Sequence, residues 1–165
     1  IPAGRLLDAA QADTRLVLIG NGGQRGQLEE AARGIASIEF MDALPTESFM
    51  DTLAAADALL LHEKPGMKEM CVPSKLTTYF AAQRPVVAVT EPESAAAHEL
   101  RCSGAGVLVP PGEPATLVGA LQAVASADSD AMGAAGLDYA LKELSSVAAV
   151  DRYRSWVSSL LSGKR

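Results

Sequence analysis

The segment 72–89 combines a polar loop, a helix start and a buried strand, and its residue types suit the binding of an anion. Pro73 sets a turn, Ser74 is a favourable helix N-cap, and Lys75 adds a mobile cation. First-turn N–H groups lack acceptors within a helix, and the helix dipole favours negative charge there by about 0.3–1 kcal/mol. A phosphate group would therefore fit at this helix start. A purely structural turn with a solvated lysine explains the segment equally well, and both interpretations stay open.

A cluster of lysines lies close to this helix start in an otherwise acidic chain. The polar segment 62–72 contains Lys64 and Lys68, and Lys75 follows it, whereas the whole chain has five lysines. Such a concentration of cations favours a diphosphate ligand over a merely solvated loop. His62 lies at the end of a predicted strand, and no histidine or carboxylate is placed in sequence to pair with it convincingly, so we favour a structural role over a catalytic one.

The glycine-rich segment 20–26 is the second loop that could approach a ligand closely. Glu39 lies at about the distance expected of a ribose-binding acid in a dinucleotide site. The glycine spacing disagrees with that assignment, because a GxGxxG pattern that begins at Gly20 requires a small residue where Arg25 stands. The same glycines are typical of a tight turn between a strand and a helix.

Apolar runs of strand length alternate with helical patterns, and this alternation predicts where both loops lie. We expect strands at residues 16–19, 36–40, 58–61, 86–89 and 106–109. Strands joined by helices imply a parallel sheet that is covered on both faces, with ligands at the carboxyl ends of the strands. The sequence therefore predicts the α/β class, with a Rossmann-like, doubly wound parallel sheet. Beyond the last strand, we expect helices from Pro114, over 130–144 and over 147–161.

Composition and charge exclude several classes of protein. The 165 residues are 48% hydrophobic and 21% charged, which is ordinary usage for one globular domain. The formal net charge of -6 leaves no basic face to neutralise a nucleic-acid backbone, so we expect no nucleic-acid partner. No apolar run approaches the roughly 18–20 residues that cross a bilayer.

The residues that could bind a metal ion do not have the spacing of a metal site. Cys71 and Cys102 lack metal-type spacing, and we expect them to be reduced thiols. The Asp128-Ser129-Asp130 triplet is similar to the metal-binding carboxylate pair of some nucleotide-sugar enzymes. It lies between two helical patterns, however, where helix capping explains its composition better.

Six segments in a fixed order resemble the carboxyl-terminal half of the retaining glycosyltransferases with a GT-B fold. They are residues 20–22 (GNG), 38–40 (IEF), 54–60 (AAADALL), 73–76 (PSKL), 83–88 (QRPVVA) and 104–114 (GAGVLVPPGEP). The pattern is similar to the family 4 enzymes of exopolysaccharide assembly, including the colanic-acid type, whose donor loops carry the same Pro-Ser-Lys-Leu run. The resemblance covers nearly the whole chain.

The resemblance implies that the chain binds a nucleoside-diphosphate sugar, linked to UDP or GDP, for transfer of a hexose to a polysaccharide or glycolipid. Residues 20–22 would line the cleft, the loop at Met41 would pack on the nucleobase, and the amides of residues 73–76 would hold the diphosphate. Lys64 or Lys75 would neutralise its charge. The residues implied to contact the donor are Gly20, Asn21, Gly22, Met41, Lys64, Pro73, Ser74, Lys75, Leu76 and Thr78.

The resemblance also implies a mechanism without a metal ion or another cofactor. The helix N-terminus and the lysines would stabilise the charge that develops on the departing diphosphate. Transfer would proceed with retention of configuration, and the leaving phosphate would help to deprotonate the acceptor. Lys75 and Glu69 are the expected catalytic residues.

The chain departs from the family pattern at a pair of glutamates. Many relatives carry two glutamates eight residues apart, the second of which contacts ribose, and these positions are Met70 and Thr78 here. Glu69 lies one residue from the first position, and Thr78 offers a hydroxyl group instead of a carboxylate. We therefore expect nucleotide binding that is weaker or differently arranged.

The family pattern also predicts how the chain is divided. Residues 1–126 would form the Rossmann-like nucleotide-sugar-binding domain, in which the family's first strand is missing, and residues 127–165 would form helices that pack on it. These helices would extend towards an absent amino-terminal domain that holds the sugar or lipid-linked acceptor. The isolated chain is expected to bind the donor weakly and to transfer nothing. The location is expected to be cytoplasmic, at the inner membrane face in the full-length protein, with membrane contact only through the missing parts.

A hypothesis from another class is a non-catalytic α/β module that senses a ligand or resembles a receiver domain. A receiver domain needs an acidic cluster after its first strand and a phosphorylatable aspartate after its third. Neither feature is visible in the sequence. Nucleoside-diphosphate binding would separate the two hypotheses.

Overall fold

The computed structural model describes residues 1–66, 74–126 and 129–163. The helices are α1 (Pro2–Ala9), α2 (Arg25–Ala31), α3 (Thr46–Ala54), α4 (Ser74–Ala81), α5 (Ala95–Ser103), α6 (Pro114–Ser126), α7 (Ser129–Tyr139) and α8 (Ser146–Leu161), with a π-helical segment Ala140–Leu144 between α7 and α8. The strands are β1 (Leu16–Ile19), β2 (Ile38–Met41), β3 (Leu59–His62), β4 (Val86–Val89) and β5 (Gly106–Val109).

Within residues 1–66, 74–126 and 129–163, all strand pairs are parallel, and these strands form two hydrogen-bonded sheets instead of one continuous sheet. One sheet pairs β1 with β2, and the other has the order β3-β4-β5. Helices separate consecutive strands, as parallel pairing requires. The predicted α/β, Rossmann-like class is confirmed, and the division into two sheets is a feature that the alternation of elements did not predict.

Two of the strands are displaced from their predicted positions. Strand β2 begins at Ile38 instead of residue 36, because the Asp8 carboxylate accepts hydrogen bonds from the N–H groups of Ala36 (2.7 Å) and Ser37 (2.8 Å). The buried Ser37 hydroxyl donates to the Gly4 carbonyl at 2.8 Å. These bonds fasten α1 to the start of β2.

Helices cover both faces of the three-stranded sheet. On one face, Leu76 and Phe80 of α4 and Leu100 of α5 pack against Val86 and Ala88 of β4, in a cluster that we call the α4–α5 core. On the other face, α6 and α1 pack against β4 and β5 in a second cluster, the α1–α6 core. Its buried residues are Ala3, Val87, Val89, Val109, Leu117, Leu121 and Val124. Strand β4 is buried on both faces, as expected of a central parallel strand.

Helix α4 begins and ends within a residue or two of the predicted limits. Ser74 is the first residue of α4 among the described residues, and the residue before it lies outside them. After Ala81 the chain leaves the helix, and Gln83 adopts a left-handed backbone with φ of 55°. This turn leads directly into β4. The start of α4 therefore lies at the opposite end of the helix, on the side of the chain that follows β3.

The predicted helix over residues 130–144 is an α-helix followed by a π-helical turn. Ser145 then adopts extended backbone (φ -68°, ψ 153°), and its hydroxyl accepts a hydrogen bond from the Ala148 N–H at 3.1 Å. This cap separates the π-helical turn from α8. None of the residues of α8 is buried, and its exposed apolar residues are Val147, Val150, Tyr153, Trp156, Leu160 and Leu161. Among the described residues, no helix combines the length and apolarity needed to cross a membrane.

Candidate functional site

The polar loops that the sequence singled out follow the carboxyl ends of the strands. Gly20 follows β1, Asp42 follows β2, Glu63 follows β3 and Thr90 follows β4. Ligands of open α/β sheets bind beside these ends. The candidate site is therefore built from these loops together with the first turn of α4.

Arg25 holds the loops after β1 and β2 together. Its Nη1 donates to the carbonyl groups of Gly20 (2.9 Å) and Met41 (2.8 Å) and to Asn21 Oδ1 (2.7 Å). The Gly20 N–H also donates to the Met41 carbonyl at 3.1 Å. Three residues implied to contact the donor, namely Gly20, Asn21 and Met41, are thus brought to one place. The fourth residue of this group, Gly22, is exposed and its carbonyl accepts the Arg25 N–H at 2.9 Å.

Two carboxylates compensate the charge of this guanidinium. Arg25 Nε donates to Glu29 Oε1 at 2.7 Å, and Arg25 Nη1 lies 3.0 Å from Asp42 Oδ1. The hydrogen bond with Glu29 raises the pKa of Arg25, so the side chain stays charged. Because Nε donates to a carboxylate and Nη1 donates to two carbonyl groups of the neighbouring loops, we assign Arg25 to holding the loops.

A second group of hydrogen bonds links the loops after β3 and β4. The Thr90 hydroxyl donates to the Glu63 carboxylate and lies 2.7 Å from the Ser94 hydroxyl. Ser94 in turn caps α5 by accepting the Ala97 N–H at 3.0 Å. Thr90 and Ser94 are each 2% exposed, so their hydroxyl groups are satisfied within the protein. The bonds fix the first residues of the loop that leads towards α4.

The loop after β3 is tied at a second point, where the Gly66 N–H donates to Glu91 Oε1 at 3.1 Å. Lys64 lies between the two ties and is exposed. The loop therefore presents a cation to solvent next to the carboxyl ends of β3 and β4. The rest of this loop includes Glu69, Met70 and Pro73, and the expectations for these three residues fall outside the described residues.

The first turn of α4 presents exposed residues on a helix that is anchored by buried side chains. Ser74 and Lys75 are exposed, whereas Leu76 and Phe80 have no exposed surface and anchor the helix in the α4–α5 core. The N–H groups of the first turn have no acceptor within the helix by geometry. Leu76 can therefore contribute only its backbone to a ligand. The Thr78 hydroxyl is directed to the Ser74 carbonyl at 3.4 Å, so it lies along the helix.

The part of the chain that the structure describes does not bring together a set of side chains that could bind a metal ion. No group of three or more histidine, cysteine, aspartate or glutamate side chains is placed to hold a metal ion there. The site offers cations and backbone amides instead, which suit an anionic ligand.

Sequence reasoning missed Arg25, Thr90 and Ser94. It used Arg25 only to argue against a dinucleotide motif, although an arginine placed five residues after a strand-ending glycine has the reach to bond that glycine's carbonyl. Thr90 follows a buried strand directly, and a hydroxyl residue at a strand's carboxyl end is the signal that was available. The partners of both residues come from distant segments, which local patterns do not reveal.

The Arg25 contacts predict a change in loop mobility. In an Arg25→Ala variant, we expect the Gly20 and Asn21 amides to exchange hydrogen about tenfold faster or more, because the bonds to Gly20, Asn21 and Met41 are lost. NMR hydrogen exchange measures this. Arg33→Ala is the matched control, since Arg33 is 78% exposed in its side chain and pairs only locally with Glu30. Equal exchange rates in the two variants would contradict the holding role.

Comparison with known proteins identifies related chains. The family described as "Glycosyl transferases group 1" matches residues 3–127. The probable glycosyltransferase WbjE of Pseudomonas aeruginosa is 26% identical over 127 residues, which is 77% of this chain and 32% of that protein. The chain thus spans about a third of the length of this curated relative.

Solved structures of two glycosyltransferases have a similar fold. WaaG, involved in lipopolysaccharide biosynthesis, superposes with a TM-score of 0.62 at 20% identity, covering 84% of this chain and 37% of WaaG. AviGT4, involved in avilamycin A biosynthesis, gives a TM-score of 0.62 at 22% identity over 90% of this chain and 43% of AviGT4. With a family match that spans well over half of its residues and a fold shared with two such enzymes, the chain belongs to the group 1 glycosyltransferases.

Proposed function

We propose that this chain is the donor-binding part of a retaining glycosyltransferase and that it binds the diphosphate of a UDP- or GDP-sugar at the first turn of α4. The observation that carries the proposal is the exposed Ser74-Lys75 start of a helix that Leu76 and Phe80, both fully buried, anchor in the core. Family membership supports glycosyl transfer as the activity of the whole protein. The acceptor would be a polysaccharide or a glycolipid.

The diphosphate part of the proposal rests on rigidity and charge. Leu76 and Phe80 are 0% exposed, so the amides at the start of α4 are held in place before a ligand arrives. The helix dipole and Lys75 both favour an anion there. Lys64, on the tied loop after β3, adds a second cation that could reach the same ligand.

The nucleoside part of the proposal rests on the loops after β1 and β2. Arg25 fixes Gly20 and Met41 through their carbonyl groups, so the backbone of both loops is positioned. Gly20 has a φ of 129° and no atom within contact distance of the position where a Cβ would lie. A planar base could therefore approach this backbone closely, beside the Met41 side chain.

The proposed chemistry is electrostatic and needs no metal ion. As the bond between the sugar and the diphosphate breaks, negative charge grows on the departing phosphate, where the α4 amides and Lys75 would stabilise it. That phosphate would then accept the proton of the acceptor hydroxyl on the same face of the sugar, which gives retention. As part of this proposal, and as the family resemblance implies, Glu69 would be a catalytic residue, and Pro73 and Thr78 would contact the donor.

The acceptor would bind on a separate amino-terminal domain that faces this one. The unburied apolar side of α8, with Tyr153 65% and Trp156 55% exposed, offers a surface for contact with such a domain. The related glycosyltransferases WbjE, WaaG and AviGT4 are longer than this chain, so each has the length for a second domain. We therefore expect the 165-residue chain to bind a donor nucleotide weakly and to transfer no sugar by itself. Cytoplasmic location and peripheral attachment at the inner membrane face are part of the proposal.

The charge contribution of the two lysines can be tested by titration with UDP and GDP. Lys64→Ala and Lys75→Ala are each expected to weaken binding of the preferred nucleotide about threefold to tenfold, and less at high salt, because each removes a partly screened cation. Lys142→Ala is the matched control, since Lys142 pairs with Asp138 at 2.7 Å on the helical segment beyond the site. Binding that is unchanged in both site variants, or equally weakened in the control, would contradict the proposal.

A further inference from the structure

Glu63 carries a half-buried carboxylate directly after β3, and the protein uses only one of its two oxygens. Oε2 accepts a hydrogen bond from the Thr90 hydroxyl. No hydrogen bond from the described residues reaches Oε1, and none of the ion pairs found among them includes Glu63. In the same ranges, every buried side-chain oxygen has a hydrogen-bond partner, so Oε1 is accessible from outside. Glu63 thus presents a free, negatively charged acceptor.

The alternation of residues along β3 and β4 shows on which face of the sheet this carboxylate lies. Leu61 of β3 and Ala88 of β4 belong to the α4–α5 core. Successive side chains of a strand point to opposite faces, so residues two apart share a face. Glu63 and Thr90, which follow Leu61 and Ala88 by two residues, therefore lie on the face that α4 and α5 cover. The hydrogen bond between them agrees with this placement.

The first turn of α4 begins on the same face and at the same edge of the sheet. Helix α4 connects the parallel strands β3 and β4, so it starts beside their carboxyl ends and returns the chain to their amino ends. Its residue Leu76 packs in the α4–α5 core together with Leu61 and Ala88. Ser74 precedes Leu76 by two residues, and Glu63 follows Leu61 by two. The free oxygen of Glu63 therefore lies beside the proposed diphosphate site.

The parts of a nucleoside-diphosphate sugar differ in what they can offer to this carboxylate. An ionised carboxylate only accepts hydrogen bonds, and phosphate oxygens are also negatively charged acceptors, so the two repel each other. The proposed position of the base is beside the loops after β1 and β2, which belong to the other sheet. The sugar is the part attached to the diphosphate that carries hydroxyl donors. A hydroxyl that donates to a carboxylate forms a strong, charge-assisted hydrogen bond.

We infer that Glu63 is a specificity residue for the donor sugar, because its Oε1 accepts a hydrogen bond from a hydroxyl group of the sugar ring. Thr90 holds the carboxylate through the other oxygen, and Ser94, whose hydroxyl lies 2.7 Å from that of Thr90, joins this pair to the start of α5. The substrate class is a nucleoside-diphosphate sugar with a free hydroxyl at the ring position that faces Glu63. The inference rests on the proposed function, since the diphosphate at α4 sets the position of the sugar.

Calorimetric titration of the 165-residue chain with UDP, UDP-glucose, GDP and GDP-mannose tests the inference. Glu63→Ala is expected to lower the affinity for the nucleotide sugar about tenfold or more and to leave the affinity for the matching nucleotide within about twofold. Glu63→Gln, whose amide oxygen can still accept from Thr90, is expected to lose about threefold for the nucleotide sugar. A merely structural role of Glu63 would lower both affinities together.

Glu93→Ala is the matched control, since Glu93 is an exposed carboxylate directly before the N-cap residue of α5. It is expected to change neither affinity. Equal losses for the nucleotide and the nucleotide sugar in Glu63→Ala, or no loss for either, would overturn the role of Glu63 and leave the proposed function standing. Failure of the unsubstituted chain to bind any nucleotide, or undiminished binding by Ser74→Pro, would overturn the proposed function and this inference with it.

Discussion

Replacing Phe80 by alanine is expected to lower the free energy of unfolding by about 3–5 kcal/mol. Phe80 has no exposed surface in the α4–α5 core, and its ring meets the Tyr139 ring edge to face, with centroids 6.1 Å apart and planes at 86°. Truncation removes this contact and leaves a cavity between α4 and the helices that follow α6. Chemical unfolding followed by circular dichroism measures the change.

Phe49→Ala is the matched control for Phe80→Ala. Phe49 lies on α3 and is 36% exposed, so its truncation is expected to cost less than about 1.5 kcal/mol. Comparable losses in the two variants would contradict the core assignment of Phe80. Because Phe80 anchors α4, its truncation should also weaken nucleotide binding at Ser74, whereas Phe49→Ala should leave binding unchanged.

Gly133→Ala is expected to destabilise the protein by about 3 kcal/mol, in spite of the higher helix propensity of alanine. A Cβ at this position of α7 would lie 2.1 Å from the Gln83 carbonyl oxygen, which belongs to the backbone turn between α4 and β4. The helix or the turn must therefore move. The same unfolding measurement gives the magnitude.

The sign of the effect is reversed at Gly119, which provides a control with the identical substitution. Gly119 is an exposed residue of α6, and nothing lies within 4 Å of the position where its Cβ would be. Gly119→Ala should stabilise the chain by up to about 1 kcal/mol through helix propensity. If Gly133→Ala were also stabilising, α7 would not pack against the α4–β4 turn as described.

The strands could be predicted from sequence because their patterns are local. The runs at 16–19, 86–89 and 106–109 coincide with β1, β4 and β5, since each is a short, continuous apolar segment next to turn residues. The start of β2 could not be located, because the amide of Ser37 is bound by Asp8, which lies 29 residues earlier in the chain.

The candidate site could be predicted only in part. The Ser74-Lys75 helix start follows from a capping residue, a lysine and an apolar spacing, all within one turn. The Arg25 contacts to Met41 and the bond between Thr90 and Glu63 join segments 16 and 27 residues apart, so no local pattern indicated them. The sequence predicts the helix that contains Gly133, but the role of this glycine depends on which backbone lies beside it.

Family membership favours the transferase hypothesis over the non-catalytic sensing module. The described start of α4 agrees with that preference, because it offers backbone amides and the Lys75 cation to an anion. The choice between UDP and GDP depends on contacts of the base near Met41, and a binding experiment with both nucleotides addresses it together with the central claim.

Calorimetric titration of the chain with UDP and with GDP, repeated on Ser74→Pro, tests that claim most directly. Proline is tolerated at the first position of a helix and removes one amide donor, so the fold should persist while the proposed diphosphate contact is lost. Ser146→Pro, at the first position of α8, is the control with the same change at an exposed serine. We predict saturable binding of one nucleotide that weakens about tenfold in Ser74→Pro and is unchanged in Ser146→Pro. Absence of binding to both nucleotides, or binding that Ser74→Pro leaves intact, would contradict the assignment of α4 as the diphosphate site.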